Sequence, residues 1–240
     1  MILHVYTTTW NERYMMPYFL RHYAEVADHV FVVDDGSDDG TREVVEACPK
    51  ASLVPYPYES GLVEGNKQKL FSRLYRKLSR GTADWVICVD CDEFVYHRDL
   101  RGVLESQAAT THIVKPDVGM ILGANEVPDT DGQLYDACPL GFSIKAYAKP
   151  CIFRAGADVW FGLGQHHVRS RGANVVTGTG IWLLHCCYLS RDWVMDHLER
   201  RFARMPQHEL ARVTARGLTL NHAKKRAMRA FDNLQPWAKP

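Results

Sequence analysis

The sequence predicts an α/β fold in which helices flank a mostly parallel, Rossmann-like sheet. In the first half, short apolar runs alternate with amphipathic segments, as in β-α-β units with right-handed crossovers. Polar segments rich in acidic residues follow two of these runs, at the strand ends where such sheets bind ligands. A 240-residue chain that is 46% hydrophobic and 24% charged can bury a substantial core.

Apolar runs and helical spacing predict the elements of the first half in order. The segment 66–78 carries Leu70, Leu74 and Leu78 four residues apart, which indicates a helix with one buried face. Strands are expected at 2–6, 29–33, 52–55 and 85–89. Helices are expected at 17–27, 41–47 and 66–78.

The second half is less regular, and its strands are short. A helix is expected from Arg191 to about Met205, with Ser190 as its N-cap and Pro206 beyond its end. Residues 125–140 are expected to form a surface loop. Strands are expected at 113–115, 118–122, 151–153 and 181–186. Because no linker divides the chain, residues 1–240 are interpreted as one domain with a regular half, 1–100, and an irregular half, 101–240.

Composition excludes several classes of protein. The net charge of +1 does not favour general binding to nucleic acid or to a membrane surface. No apolar run approaches the roughly 20 residues that cross a bilayer, and the N-terminus lacks the pattern of a signal peptide. The seven cysteines are odd in number and several lie in apolar runs, which argues against a zinc site or a disulfide framework and favours a reducing cytoplasm.

The segment Asp90-Cys91-Asp92-Glu93 follows the predicted strand 85–89 directly. Two carboxylates at a strand end offer hard oxygen ligands to Mg²⁺ or Mn²⁺. A cation there can bridge to a diphosphate, which indicates chemistry on a nucleotide-linked substrate. Glu93 has three open interpretations: a catalytic group, a helix N-terminus or a core contact.

The segment 34–41, Asp-Asp-Gly-Ser-Asp-Asp-Gly-Thr, also follows a predicted strand. Gly and Asp favour a tight turn, and Ser or Thr can cap the next helix. Two interpretations remain open: a plain strand–helix turn, or a turn in which Asp34 or Asp35 accepts hydrogen bonds from a ribose or a base.

Four segments together resemble the family 2-like glycosyltransferases of the GT-A fold. Residues 7–12, Thr-Thr-Thr-Trp-Asn-Glu, look like the family's first-strand loop, and residues 33–41 are similar to its nucleoside-binding turn. Residues 90–94, Asp-Cys-Asp-Glu-Phe, match its metal motif in the form of one subgroup, and His185 looks like its late histidine. The resemblance is good over residues 1–100 and thin over 101–240.

The resemblance implies a nucleoside-diphosphate sugar as donor, Mn²⁺ or Mg²⁺ as cofactor, and the transfer of a hexosyl or pentosyl group, by inversion as we expect. It implies metal ligation by Asp90, Asp92 and His185, with Asp92 and Glu93 close to the chemistry. The residues that it places near the nucleotide are Thr7, Thr9, Asn11, Glu12, Asp34, Asp35, Asn66, Lys67 and Asp90.

The catalytic base is left open. An inverting transferase needs a carboxylate or histidine to accept the proton of the acceptor hydroxyl, and the candidates are Asp117, Glu126, Asp158 and His166. A retaining mechanism also stays open. His166 and His167 follow the Gly-flanked loop 162–165, which is interpreted either as a lid over the substrate or as carrying two surface histidines. Lys149 and Arg154 are interpreted either as phosphate contacts or as solvated charges.

The C-terminal part is locally basic. Between Glu209 and Asp232 six basic residues occur without an acid: Arg212, Arg216, Lys224, Lys225, Arg226 and Arg229. They form either a solvated helical face or a surface for a polyanionic acceptor such as nucleic acid, anionic lipid or a phosphorylated glycan. The competing functions for the whole chain are a nucleotidyltransferase, a phosphatase with an aspartate nucleophile, and a non-catalytic nucleotide-sugar-binding module.

Overall fold

The structure, a computed structural model, describes residues 1–56, 64–162 and 165–239. Strands and helices alternate in the first half as predicted, with small shifts at their ends. These elements are β1 (Leu3–Thr9), α1 (Met15–Val26), β2 (His29–Asp34), α2 (Thr41–Glu46), β3 (Ala51–Pro55), α3 (Glu64–Leu78) and β4 (Trp85–Cys88).

The chain beyond β4 contains shorter strands and a helical C-terminus. The side chain of Ser190 caps α5 by accepting the Trp193 N–H, as predicted, and α5 ends before Pro206. The strands are β5 (Glu93–Tyr96), β6 (Ile113–Val114), β7 (Val118–Gly123), β8 (Leu140–Ser143), β9 (Ile152–Arg154), β10 (Trp160–Phe161), β11 (Val168–Arg169), β12 (Val175–Val176), β13 (Trp182–Tyr188) and β14 (Gln235–Pro236). The helices are α4 (Leu100–Glu105), α5 (Arg191–Arg204), α6 (Gln207–Ala215) and α7 (Leu220–Asp232).

Seven of the described strands form a central sheet in the order β12-β6-β9-β4-β1-β2-β3. β1 lies parallel to both β2 and β4, and β3 continues the parallel set, whereas β9 runs antiparallel between β4 and β6. The predicted fold class, an α/β protein with a mostly parallel sheet, is confirmed. Because the strand order reverses between β1 and β4, the crevice outside their carboxyl ends is the place where sheets of this kind bind ligands.

Side chains of the central strands alternate between two buried clusters, one on each face of the sheet. On β4, Trp85 and Ile87 join the cluster that includes Phe19 of α1. Val86 and Cys88 join the cluster that includes Phe71 and Tyr75 of α3. The two-residue period of a strand thus buries both faces of the sheet under helices, and this packing fixes the carboxyl edge relative to α1 and α3.

A second sheet, in the order β14-β8-β7-β13-β5, adjoins this edge. β5 and β13 run antiparallel with Glu93 opposite His185. Gly119 of β7 is a close approach, because a Cβ there would overlap the backbone of Tyr147 and Ala148. The segment 147–149 therefore packs against β7 through the backbone of Tyr147 and Ala148. In the described part of the chain, no helix is both long and apolar enough to cross a membrane.

Two expectations from the sequence are wrong in detail. Residues 125–140 are not simply a surface loop, because they contain a short 3-10 turn in which Leu134 and Tyr135 are buried. Glu93 does not begin a helix but begins β5, a strand that the sequence analysis did not predict. Pairing with β13 decides this element, and that partner lies far away in the sequence.

Candidate active site

The Asp90–Glu93 segment forms a closed turn at the carboxyl edge, next to β1. The Glu93 N–H donates to the Asp90 carbonyl at 3.0 Å, and the Asp90 N–H donates to Glu93 Oε2 at 3.1 Å. The Cys186 N–H donates to the Asp92 carbonyl at 2.9 Å, which ties the turn to β13. The turn is thus held by its own hydrogen bonds and by the second sheet.

Asp92 and His185 form a pair, with His185 Nε2 at 2.9 Å from Asp92 Oδ2. Burial by itself disfavours both charges, but the attraction within the pair outweighs it. The pKa of Asp92 therefore lies below its usual value and the pKa of His185 well above it. The structure brings together these two predicted metal ligands, which are far apart in sequence.

Asp92 and His185 offer one oxygen and one nitrogen donor side by side, whereas Asp90 does not complete a ligand set. Because the raised pKa of His185 keeps its ring protonated, Nε2 must lose its proton before it binds a cation. Among residues 1–56, 64–162 and 165–239, no group of three or more His, Cys, Asp or Glu side chains is arranged to hold a metal ion. The predicted triad is therefore corrected to a pair, and any further ligands would have to come from substrate or water.

Two lysines explain why Asp90 stands apart from this pair. Lys67 of α3 forms an ion pair with Asp90 Oδ1, and Lys149 Nζ lies 3.5 Å from Oδ2. Lys149 Nζ also lies 2.5 Å from Oε1 of Glu93, whose side chain is 0% exposed. Burial disfavours the Lys149 charge, but Glu93 outweighs this effect and raises the pKa of Lys149. Glu93 is therefore a buried partner of Lys149, not an accessible catalytic group.

Asp34 and Asp35, the first two aspartates of the turn after β2, have different partners. Asp34 is buried, and its carboxylate accepts the N–H groups of Gly36 and Ser37 and pairs with Arg42 at 3.4 Å. Asp34 therefore serves the turn itself, as the plainer interpretation of this segment expected. The Asp35 carboxylate points instead toward α5, where it pairs with Arg204.

The predicted contacts of the first-strand loop need correction. Thr7 and Thr9 lie within β1, which is longer than predicted, and both are buried, so neither presents a surface to a ligand. Asn11 has a φ of +53° and joins the two loops: its Nδ2 donates to Asp38 Oδ1 at 2.8 Å, and its Oδ1 accepts the Asp38 N–H at 2.9 Å. Its side chain is thus committed to protein contacts.

Glu12, the last residue of the first-strand loop, faces α5. Its Oε1 is 3.9 Å from Nδ1 of His197, whose ring stacks on Trp193 with centroids 5.0 Å apart. Burial raises the pKa of Glu12 to about 8, and the nearby Asp92 carboxylate adds to this rise. Glu12 is therefore a largely protonated group near neutral pH, next to the Asp92–His185 pair.

His166 approaches the pair through an aromatic side chain. Its Nδ1 lies 2.8 Å from the Ala146 carbonyl, and its ring meets Tyr147 edge-on at 5.5 Å. The Tyr147 ring also lies near His185, with ring centroids 5.5 Å apart. His167 is exposed. Part of the proposed lid, residues 163–164, lies outside the described residues.

Sequence comparison with known families decides the family. The profile of glycosyl transferase family 2 matches residues 5–133, more than half of the chain. The chain belongs to glycosyl transferase family 2. The resemblance inferred from the four segments is thereby confirmed. No curated protein matches the sequence.

Solved structures similar to this family 2 protein are distant. Glucosyl-3-phosphoglycerate synthase from Mycobacterium tuberculosis, in complex with Mn²⁺, UDP and glucosyl-3-phosphoglycerate, is 20% identical over 51% of this chain and 44% of its own, with a TM-score of 0.35. A 4-diphosphocytidyl-2C-methyl-D-erythritol synthase is 16% identical over 65% of this chain and 76% of its own, with a TM-score of 0.39. The match thus spans less than half of the mycobacterial enzyme, and the family assignment rests on the profile.

The predicted bases of this family 2 protein lie in different places. Asp158 is exposed and pairs with Arg80 just beyond the C-terminus of α3, at the amino edge of the sheet, so it is removed as a candidate. Asp117 accepts the N–H groups of Gly178 and Gly180 before β7 begins, which is a structural role. Glu126, by contrast, lines a groove of about 510 Å³ beside α5.

The remaining basic candidates also lie in different places. Arg154 stacks on Trp85, the first residue of β4, at 4.2 Å and donates to the Gln107 carbonyl, so it lies away from the carboxyl edge. In the C-terminal basic segment, Lys224 pairs with Glu199 and Arg212 with Glu209. The structure thus neutralises part of the surface that the sequence suggested for a polyanion.

The sequence analysis of this family 2 protein missed the contribution of α5. His197, Arg200 and Arg204 face the loops after β1 and β2, with Arg200 Nη1 donating to the Asn11 carbonyl at 3.3 Å. Their spacing of three and then four residues on a predicted helix places them on one face and was a readable signal. That spacing does not reveal which part of the protein the face covers.

Proposed function

We propose that this chain is a metal-dependent glycosyltransferase that moves a sugar from a nucleoside-diphosphate sugar to an acceptor. The observation that carries the proposal is the Asp92–His185 pair at the crevice between β1 and β4, in a chain of glycosyl transferase family 2. A carboxylate and an imidazole suit Mn²⁺ or Mg²⁺, which usually complete their coordination with phosphate oxygens and water.

The charges around the pair suit a leaving diphosphate. A cation held by Asp92 and His185 would act as a Lewis acid toward the negative charge that develops on that group. Lys67 of α3, which pairs with Asp90, would bring a positive charge close to that group. Lys149 holds the Asp90–Glu93 turn in place, because its Nζ pairs with both Asp90 and Glu93. Asn66, beside Lys67, is half-buried and stays a proposed nucleotide contact.

The nucleoside would lie over the loops after β1 and β2. Asp35 is the proposed hydrogen-bond acceptor for the nucleoside, because Asp34 is used within its own turn. Trp10 lies on the neighbouring loop, and the guanidinium of Arg204 contacts both the Trp10 ring and Asp35. Glu12 and Asn11 hold these two loops together: the Glu12 N–H donates to Thr41 Oγ1, and Asn11 Nδ2 donates to Asp38 Oδ1.

The acceptor would enter beside α5. Glu126 lines the groove there, and His166 lies against Tyr147, the ring of which is also next to His185, so these two residues remain the proposed bases for an inverting transfer. A polyanionic acceptor on the C-terminal basic segment is the alternative, and acceptor affinity that falls as salt rises would distinguish it.

We further propose that residues 1–240 act as one domain, in which 1–100 bind the donor and 101–240 face the acceptor. The seven cysteines are all free, five of them buried, and this suits a reducing cytoplasm.

A thermal-shift screen tests the donor site directly. UDP, GDP, TDP, CDP and ADP are each added with Mn²⁺, Mg²⁺ or EDTA, because a ligand that binds only the folded protein raises Tm by mass action. We expect one nucleotide to raise Tm with a metal ion and to lose its effect in EDTA. If none of the nucleotides shifts Tm under any condition, the donor assignment is wrong.

The variant Asp92→Asn tests the metal pair. It should lose the metal-dependent shift and all sugar transfer or donor hydrolysis, because a neutral amide is a poor ligand for Mn²⁺ or Mg²⁺. Asp158→Asn is the matched control, since that aspartate lies at the opposite edge of the sheet. Near-normal turnover by Asp92→Asn would contradict the proposed mechanism.

A further inference from the structure

One face of α5 lies on the two loops that would hold the nucleoside. Its residues at successive turns are His197, Arg200 and Arg204. His197 faces Glu12, and Arg200 donates to the Asn11 carbonyl at 3.3 Å. The helix therefore follows the first-strand loop and ends with Arg204 at the turn after β2.

Arg204 makes three contacts at this turn. Its Nη2 donates to the Asp35 carbonyl at 2.9 Å and to the Asp35 carboxylate Oδ2. Its Cζ lies 4.1 Å from the centre of the Trp10 ring. The guanidinium is thus held by a carboxylate at its edge and an aromatic ring on its face, a combination that restrains arginine well.

These contacts occupy the surfaces that a nucleobase would need. A planar base that stacks on an indole sits about 3.5–4.0 Å above it, and Arg204 Cζ is already at 4.1 Å from the Trp10 ring centre. The Asp35 side chain is 10% exposed, with Arg204 against it. A base that stacks on this face of Trp10 and bonds to Asp35 must therefore move Arg204 first.

We propose that Arg204 is a donor-site residue that competes with the nucleoside for Asp35 and for the face of Trp10, so that the end of α5 gates the donor site. This inference rests on the proposed function, because it assumes that a nucleoside diphosphate binds at Asp35. Binding of the nucleoside exchanges one partner of Asp35 for another, and the end of α5 moves away from the turn. The apparent affinity for the nucleotide is then reduced by the fraction of molecules in which Arg204 is in place.

The test compares nucleotide affinity in the wild-type protein and in the Arg204→Ala and Arg204→Gln variants. Titration calorimetry with UDP, GDP, CDP, TDP and ADP in Mn²⁺ supplies the Kd for each protein. If Arg204 is in place in nine molecules out of ten, its removal tightens binding about tenfold. Arg201→Ala is the matched control, since Arg201 is an exposed arginine of the same helix. Arg204→Gln keeps most of the side chain's length if the alanine variant does not fold.

Each outcome has a definite meaning. Tighter binding in the Arg204 variants but not in Arg201→Ala supports the gate, as does binding that appears only when Arg204 is replaced. Unchanged or weaker binding in the Arg204 variants, with nucleotide bound by the wild type, overturns the gate and leaves the proposed function standing. If no nucleotide binds the wild type or the variants, the proposed donor site fails, and the gate fails with it.

Discussion

Replacing Lys149 with methionine would leave a carboxylate buried without its cation. Glu93 is 0% exposed, and its Oε1 lies 2.5 Å from Lys149 Nζ, whose side chain is 5% exposed. Methionine has nearly the length of lysine and carries no charge. The variant Lys149→Met therefore removes the charge of the partner while changing the packing little.

The expected destabilisation follows from this burial. Removing one member of a buried ion pair costs about 3–5 kcal/mol, because the remaining charge is uncompensated. Glu93 keeps the Asp90 N–H at 3.1 Å, which favours the lower end of that range. We expect a loss of about 3–4 kcal/mol at pH 7.

Guanidinium unfolding followed by circular dichroism measures this loss at pH 7. The double variant Glu93→Gln, Lys149→Met removes both charges and should recover stability to within about 1 kcal/mol of the wild type. Lys145→Met, a change at an exposed lysine of the same segment, is the control. A single variant as stable as this control, or a double variant no more stable than Lys149→Met, would refute the reasoning.

Three further predictions concern other parts of the site. Because burial raises the pKa of Glu12 to about 8 from 4.5, the folded protein loses stability as the pH rises between these values. Glu12→Gln should therefore be more stable than the wild type at pH 8 but not at pH 4.5, and equal unfolding midpoints at pH 8 would contradict this. Gly119→Ala should cost about 1–3 kcal/mol, because its Cβ would push the Tyr147 backbone off β7; an unchanged Tm would show that the two segments are not in close contact. Asp158→Ala should keep wild-type nucleotide binding and turnover, and a loss of either would contradict its position at the amino edge.

Local sequence patterns predicted the elements from β1 to β4 because the residues of each element were sufficient to indicate it. The apolar run before Asp90 reads as a buried strand whatever lies beside it, and the spacing of Leu70, Leu74 and Leu78 indicates a helix by itself. β5 was missed for the opposite reason. Its four residues form a strand because Glu93 pairs across from His185, and no pattern near Glu93 announces that partner.

In the candidate site, too, local motifs indicated some features, and partners distant in sequence decided the others. The resemblance carried by local motifs indicated Asp92 and His185, and the structure places them 2.9 Å apart. It also grouped Asp90 with the metal ligands and Thr7 with the nucleotide contacts. The structure instead pairs Asp90 with two lysines and buries Thr7 within β1. Such errors arise because a motif indicates the type of side chain at a position but not the neighbour that it meets.

The amino-acid sequence by itself determined that this is an α/β protein of glycosyl transferase family 2 with paired carboxylates at a strand end. These properties depend on the periodicity and order of residues along the chain, which are local and readable. Only the tertiary structure decided which charges meet: Lys149 with Glu93, and Arg204 with Asp35. Ion pairs between segments distant in sequence depend on how sheets and helices pack in space, and the sequence alone does not display that packing.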